Sequence, residues 1–282
     1  MRVVAKSSLT KAQMKAKINS GAKYIELHMN PRDIDMPLKD INELRDIMKE
    51  HGVIITSIHL PTNGIQNITF IDLLSNVKQL KFACFLMELL PSAEEVVCII
   101  HNEYDLETLK QFKIFEETVE TIKNTKRLHS KFILGIENVS PLTNSKSGIL
   151  VRKTRGIENV DVVNYLGTDI SCVVFDTCHA MSQAFLDEKV LGHADRYEEI
   201  RDNLLPFAKV VHLADCDGLG ILPGTHGIAF KDDNRLIDIT RPLLRDGINI
   251  VLEIKEADYT DPVEFRDMKK VIDENFMVKR GI

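Results

Sequence analysis

Eight short apolar segments, each followed by an amphipathic stretch of helical character, constrain the fold of this chain more than any other feature. The eight segments are 2–7, 23–28, 53–59, 95–101, 132–138, 172–176, 209–215 and 249–254. Most are continuously apolar rather than alternating, which is typical of parallel strands covered on both faces. Eight strand–helix units in 282 residues match the length of a (β/α)8 barrel. We therefore predict an α/β fold, a single TIM-barrel domain over residues 1–282.

The intervening stretches also carry helix stop signals. Three of them end just before a glycine, namely "TKAQMKAKINS" before Gly21, "DINELRDIMKEH" before Gly52 and "RLIDITRPLLRD" before Gly247. Glycine readily adopts the left-handed conformation that ends a helix. A doubly wound open sheet is the alternative fold, but no glycine-rich dinucleotide or Walker fingerprint follows any strand. The most loop-like stretch is 140–148, after the fifth strand.

Composition narrows the class of protein. The chain has 36 Lys plus Arg and 42 Asp plus Glu, a net charge of −6, which disfavours a nucleic-acid-coating surface but leaves room for a local basic groove. No apolar run approaches the ~18–20 residues that cross a bilayer, and the N-terminal residues lack the apolar core of a signal peptide. The five cysteines form no CxxC pair and are interpreted as reduced thiols. We expect a cytoplasmic protein with no membrane partner.

Seven of the eight predicted strands end in a residue that can bind a metal or move a proton. In strand order these residues are Glu26, His59, His101, Glu137, Asp176 with His179, His212 with Asp215, and Glu253. The carboxyl ends of the strands of a barrel converge on one mouth, where active sites of this fold are built. Polar residues are common at strand ends because these ends are exposed to solvent. Chance alone would not be expected to select almost only His, Asp and Glu.

The chemistry of this set predicts a divalent-metal site. Carboxylates crowded into one pocket raise each other's pKa, and burial adds to the penalty, so a cation is the simplest remedy. Mixed carboxylate and imidazole ligands suit Zn²⁺, Mn²⁺ or a similar ion better than Ca²⁺. The predicted site consists of Glu137, Asp176, His212 and Glu253. The residues expected to bind a second metal or the substrate are His59, His101 and His179.

Four further residues are weaker candidates. Glu26 fits a structural or supporting role better than a ligand role. Asp215 is an odd number of residues from His212, so strand alternation turns it away from that side chain, although it can orient a ligand from behind. Asp217 and His226 lie in loops, from which His226 can approach the mouth. The histidines expected at the surface are His28, His51, His129 and His193.

The ordered set of motifs resembles the xylose isomerase-like TIM barrels over nearly the whole chain. The motifs are "IELH", "SIHLP", "IIH", "GIENV", "FDTCHA", "VVHLADCDG", "LPGTHGIAF" and "LEI". That superfamily holds sugar-phosphate isomerases and epimerases together with the endonuclease IV type of apurinic/apyrimidinic-site nuclease. Each motif alone is weak, whereas the ordered set is specific.

The two branches of the superfamily imply different roles. The epimerase resemblance implies one divalent ion on the four-residue site above, with Glu137 and Glu253 doubling as an acid/base pair. The nuclease resemblance implies several zinc ions on seven of the nine family ligands, which are His59, His101, Glu137, Asp176, His179, His212 and Glu253. The other two, an Asp-x-His pair, are unmatched, because Gly218, Leu219 and Gly220 stand there. The candidates to replace them are Asp217 and His226.

Three functions follow, in this order. The first is a metal-dependent isomerase or epimerase of a small sugar or sugar phosphate, in which Glu137 and Glu253 transfer the proton next to a metal-polarised carbonyl. The second is a zinc-dependent nuclease for abasic DNA, which needs a basic groove such as 123–127 or 153–155. The third is a non-catalytic metal- or sugar-binding barrel. The unmatched Asp-x-His pair and the acidic charge place the isomerase first.

Overall fold

A closed barrel of eight parallel strands forms the centre of the computed structural model. The strands are β1 (Arg2–Ser8), β2 (Tyr24–His28), β3 (Ile54–His59), β4 (Ser92–His101), β5 (Phe132–Glu137), β6 (Ser171–Asp176), β7 (Ala208–Leu213) and β8 (Asn249–Leu252). Each strand pairs in parallel with the next, and β8 closes onto β1. The structure describes residues 1–63, 66–145, 148–151, 156–192, 196–219 and 225–277. The predicted (β/α)8 barrel is confirmed, and the open sheet is excluded.

Helices cover the outside of the barrel. Those described are α1 (Lys11–Asn19), α2 (Leu38–His51), α3 (Val77–Leu89), α4 (Leu106–Lys110), α5 (Phe115–Leu128), α6 (Asn159–Leu166), α7 (Thr177–Leu191), α8 (Arg196–Leu204), α9 (Asp233–Thr240) and α10 (Val263–Ile272). Short 3-10 turns occupy Asp33–Asp35, Phe70–Asp72, Leu205–Phe207 and Arg241–Leu243, and a π turn occupies Asp273–Met277. In the described part of the chain, no helix is both long and apolar enough to span a bilayer.

Two of the three predicted glycine stops are confirmed. Gly21 (φ 86°) and Gly52 (φ 62°) follow the last turns of α1 and α2 in the left-handed conformation. The third prediction is wrong, because α9 already ends at Thr240. Pro242 has no N–H to continue the helical hydrogen bonds, so the chain tightens into a 3-10 turn there. Gly247 (φ 80°) lies in the turn before β8.

The described part of the loop-like stretch 140–148 includes strands of a β-hairpin, and residues 146 and 147 lie outside the described residues. Leu142–Ser145 pairs in antiparallel fashion with Gly148–Val151 after β5. Two other short hairpins rise from the same end of the barrel, Thr62–Asn63 with Gln66–Asn67 after β3, and Asp215–Cys216 with His226–Ile228 after β7. These hairpins bring chain segments to the mouth that the barrel strands alone do not supply.

The inside of the barrel is apolar at its base and polar at its mouth. Small apolar side chains from six strands fill the base, namely Val4, Val97, Ile99, Ile133, Cys172, Val174, Val210 and Val251. Gly135 is required among them, because an added Cβ would lie 2.5 Å from Val97 and 2.7 Å from Val174. The larger core fills the space between the strands and the helices. A rigid apolar base therefore supports the polar residues at the strand ends.

Candidate metal centre and substrate cavity

Among the described residues, three overlapping clusters of side chains that could hold a metal ion lie at the mouth of the barrel. The first cluster is His59, His101 and Glu137, the second is Glu137, Asp176, His212 and Glu253, and the third is Asp176, His179 and His226. Within each cluster the ligand atoms lie within 4.8 Å of one another. Glu137 is shared by the first two clusters and Asp176 by the last two. The eight residues therefore form one continuous centre.

The pairing register of the strands places these side chains next to one another at the mouth of the barrel. His101 on β4 pairs with Glu137 on β5, and Asp176 on β6 pairs with His212 on β7. Paired residues of adjacent parallel strands point to the same side of the sheet, here into the barrel. Asp176 also begins α7 as its N-cap, and its carboxylate accepts a 2.6 Å hydrogen bond from the backbone N–H of His179. That hydrogen bond holds Asp176 and His179, which are three residues apart, in a fixed relative position.

Four imidazoles enclose the Glu137 carboxylate. Its Oε2 lies 3.2 Å from His59 Nε2 and 3.3 Å from His101 Nε2. Its Oε1 lies 3.4 Å from His212 Nδ1 and 3.6 Å from His179 Nδ1. The residue is only 1% exposed. Glu137 is therefore placed where two clusters can share it as a ligand, and the acid/base role predicted for it with Glu253 stays a prediction.

The hydrogen bond of His59 locates its proton. Its Nδ1 lies 2.9 Å from the carbonyl oxygen of Leu60, which can only accept, so Nδ1 carries the hydrogen. In the neutral ring, the lone pair of Nε2 then faces a carboxylate oxygen of Glu137 at 3.2 Å. Two acceptors in contact repel each other unless a cation lies between them or the ring is protonated. This donor arrangement fits a divalent ion.

Glu26 supports His212 from behind. Its Oε2 lies 3.1 Å from His212 Nε2 and accepts a 2.7 Å hydrogen bond from the hydroxyl of Ser57. With its proton on Nε2, His212 presents the Nδ1 lone pair to the second cluster. That Nδ1 and the Oε2 of Glu253, 2.5 Å away, are both buried without a hydrogen bond among the described residues. A carboxylate that holds the far nitrogen of a metal-binding histidine is typical of metal centres.

His226 completes the third cluster. It lies in the hairpin after β7, and its Nε2 is 2.8 Å from Nε2 of His179. Asp217, the other candidate for the unmatched Asp-x-His pair, is in none of the clusters found among the described residues. Gly220, within the expected position of that pair, lies outside the described residues. Asp215 is in none of these clusters either, and both its oxygens bind the guanidinium of Arg235.

Asn138 holds the second and third clusters together. Its side-chain amide donates to the backbone carbonyl of Asp176 (3.0 Å), and its side-chain oxygen accepts from the backbone N–H of the same residue (2.7 Å). Its own carbonyl accepts a 2.7 Å hydrogen bond from Nδ1 of His179. The lone pair of His179 Nε2 is thereby directed towards His226. The motif "GIENV" contains this residue, but its supporting role depends on contacts across two strands.

The charges of the centre are unbalanced. Burial, together with the charges of Glu137 and Glu253, raises the pKa of Asp176 to about 7. Burial lowers the pKa of His101 to about 4 in spite of the neighbouring Glu137. The ammonium of Lys6 lies 2.6 Å from an oxygen of Glu253 and 3.4 Å from an oxygen of Glu26, so it neutralises those two carboxylates rather than Glu137 or Asp176. A divalent ion would relieve the repulsion among the carboxylates of the centre.

A cavity of about 520 Å³ opens beside the centre, between the ends of β1, β2 and β8. Its polar walls include Lys6, Ser8, Gln13, His28, Asn30 and Lys255. Glu253 and His226 line both the cavity and the clusters. This volume lies within the range of ordinary small-molecule sites.

Comparisons with solved structures match this architecture along nearly the whole chain. Endonuclease IV from Thermus thermophilus gives a TM-score of 0.61 at 18% identity, covering 97% of this chain and 100% of that chain. A xylose isomerase domain protein from Alicyclobacillus acidocaldarius gives 0.61 at 14%, covering 97% of each chain. The IOLI protein with a binding zinc atom gives 0.58 at 15%, covering 97% of each chain. This chain has the fold of the xylose isomerase-like TIM barrels. No family model and no curated protein matches the sequence.

The sequence analysis did not identify two residues that lie in the mouth of this xylose isomerase-like barrel. Lys6 lies near the end of β1, where no acid or histidine was found, and its register partner is Glu26, 3.4 Å away. His28 was expected at the surface, but it is the last residue of β2 and its ring centroid lies 5.4 Å from that of His59. Because side chains alternate along a strand, Glu26 and His28 point to the same side. That two-residue spacing was the available signal.

The other three histidines expected at the surface differ in their outcomes. His51 is exposed at the end of α2, as expected. His129 is half-buried, with its Nδ1 3.5 Å from a carboxylate oxygen of Glu88. His193 lies outside the described residues.

Of the two basic stretches proposed for DNA binding, the described one does not reach the mouth. Residues 123–127 lie in the last turns of α5, where Lys126 binds the carbonyl of Ser130 just before β5 begins. Because each helix runs back along its strand, this end of α5 is at the base of the barrel. The second stretch, 153–155, lies outside the described residues.

Proposed function

We propose that the protein is a metal-dependent phosphoesterase that hydrolyses a small phosphorylated substrate at a centre of two or three divalent ions. The observation that carries this proposal is the position of Glu137, shared by two ligand clusters and closed off from the cavity by four imidazoles. A one-ion isomerase needs only the second cluster. Adjacent ligand sets that share a carboxylate instead fit the multi-ion sites used for phosphate esters.

Each residue of the centre has a distinct role in this proposal. Ions bound here would polarise the phosphoryl oxygens and acidify a water molecule. Glu137 and Asp176 link the adjacent ligand sets, and Glu26 fixes the tautomer of His212. Glu253 is the member of the second cluster that faces the cavity, with its side chain 22% exposed, so it can accept a hydrogen bond from the attacking water. Lys6 holds Glu253 in that position.

A small substrate is supported over DNA by three observations. The cavity beside the centre has a volume of about 520 Å³, the net charge is −6, and residues 123–127 lie at the opposite end of the barrel. The sequence placed an isomerase first and a DNA nuclease second. The geometry favours the multi-ion chemistry of the nuclease with the small substrate of the isomerase.

An isomerase or epimerase is the second candidate, on one observation. Glu253 and His226 both line the cavity and can both carry a proton. They could serve as the acid/base pair around a sugar held by one ion in the second cluster. Glu137 would then be a ligand only.

A single assay distinguishes the two candidates. Zinc- or manganese-loaded protein is incubated in D₂O with bis(p-nitrophenyl) phosphate and, separately, with D-ribose 5-phosphate. We expect release of p-nitrophenolate that stops on chelation and returns on reloading, and no deuterium in the carbon skeleton of the sugar. Proton transfer at carbon would instead introduce deuterium. Deuterium incorporation without ester hydrolysis would contradict the phosphoesterase and support the isomerase.

A further inference from the structure

His28 is a polar residue that lines the cavity and takes no part in the three clusters described above. It ends β2, in register with Ser8 of β1 and His59 of β3, and it lines the cavity beside the centre. Its ring lies beside that of His59, yet His28 belongs to none of the clusters found among the described residues. It therefore faces the space next to the metal centre without contributing to it.

The two ring nitrogens of His28 differ in their surroundings. Nδ1 is buried and has no hydrogen-bond partner among the described residues, whereas Nε2 is not among the buried, unpartnered atoms. A buried N–H without an acceptor is rare in proteins because its lost hydration is not replaced. The proton of the neutral ring is therefore placed on Nε2, the nitrogen that remains accessible. His28 offers the cavity one hydrogen-bond donor.

Apart from Lys6, Lys255 and Glu253, the polar walls of the cavity are uncharged hydrogen-bonding groups, which suit hydroxyl groups. Hydroxyl and amide side chains of Ser8, Gln13 and Asn30 line it. The ammonium of Lys6 already binds the carboxylates of Glu253 and Glu26, so it does not act as a free anion site. A polar cavity of this size, with hydrogen-bonding walls and a metal centre on one side, matches a molecule whose phosphate lies at the metals and whose hydroxyl groups extend away from them.

We infer that His28 donates a hydrogen bond from Nε2 to a substrate hydroxyl, and that this cavity binds the hydroxyl-bearing part of a phosphorylated sugar or polyol. The inference rests on the proposed function only for the placement of the phosphate at the metal centre. It assigns a specificity-determining role to a residue outside the ligand clusters.

The test is a binding comparison by calorimetry on zinc-loaded protein, with D-ribose 5-phosphate and inorganic phosphate as the probes. The variants are His28→Phe, which removes the donor, and His28→Gln, whose amide replaces Nε2. His51→Phe, at an exposed position on α2, is the matched control. Zinc content and circular dichroism verify that each variant keeps its metal and its fold.

We expect wild-type protein to bind ribose 5-phosphate more tightly than phosphate. His28→Phe should weaken ribose 5-phosphate binding by roughly fivefold to tenfold, the effect of one hydrogen bond, and leave phosphate binding unchanged. His28→Gln should restore most of the loss. Unchanged sugar-phosphate binding in His28→Phe, or an equal loss for both probes, would overturn the inference while leaving the phosphoesterase proposal standing. Failure of wild-type protein to bind phosphate would contradict both.

Discussion

Replacing Glu137 by glutamine is expected to reduce phosphoester hydrolysis by roughly a thousandfold, the equivalent of about 4 kcal/mol in transition-state stabilisation. The amide has the shape of the carboxylate but no charge, and only one of its two end groups can ligate a metal. Both the first and the second cluster use Glu137, so both should lose affinity for their ions. The measurement is the initial rate with bis(p-nitrophenyl) phosphate, together with the metal content of the purified variant.

The matched control for this substitution is Glu120→Gln, an exposed glutamate on α5 at the outside of the barrel. It should retain the wild-type rate and metal content. Circular dichroism on both variants separates loss of the centre from loss of the fold. A Glu137→Gln variant that kept its full metal content and its rate would contradict the role of Glu137 as a shared ligand.

Replacing Glu256 by alanine is expected to lower the free energy of unfolding by about 3–5 kcal/mol. Its Oε1 lies 3.1 Å from Nζ of Lys17, and both side chains are at most 2% exposed. The same carboxylate accepts 3.1 Å hydrogen bonds from the backbone N–H groups of Glu264 and Phe265 at the start of α10. The substitution leaves a buried ammonium without its partner and the first turn of α10 without its cap. It therefore loosens the contact between the first and last helices of the barrel.

Urea denaturation followed by circular dichroism measures this effect. Glu43→Ala is the matched control, since Glu43 pairs with Lys11 on the surface, where solvent screens the two charges and an ion pair contributes little to stability. If Glu256→Ala destabilised the protein no more than Glu43→Ala, the buried pair would not hold these two helices together.

The barrel was predictable because its strands are continuous apolar runs, as expected for a parallel sheet that is covered on both faces. The predicted and observed strand boundaries differ by only a few residues. The largest difference is at the start of β4, where Ser92–Glu94 extend the predicted 95–101. A helix prediction failed where Pro242 interrupts the hydrogen bonds of α9. The pairing of Leu142–Ser145 with Gly148–Val151 was missed because the polar sequence "TNSKSG" resembles an irregular loop.

The candidate site was predictable at the strand ends, because eight parallel strands bring their carboxyl ends to one mouth. Its internal arrangement was not. The enclosure of Glu137 by four imidazoles depends on strand register and side-chain rotamers, and neither is written in the spacing of the motifs. His226 reaches the centre through the pairing of a hairpin. Lys6 was missed because the search at strand ends considered acids and histidines, and His28 was missed because only Glu26 was taken from the second strand.

The most direct test of the multi-ion centre is the number of metal ions bound per chain, measured on protein purified without chelator or a histidine tag. It is made on wild type, on the His59→Ala, His101→Ala double variant, and on a His51→Ala, His129→Ala control. Shared ligand clusters predict two or three ions per chain in the wild type and the control, and one ion fewer in the first variant. One ion per chain that the His59 and His101 substitutions leave in place would contradict the account.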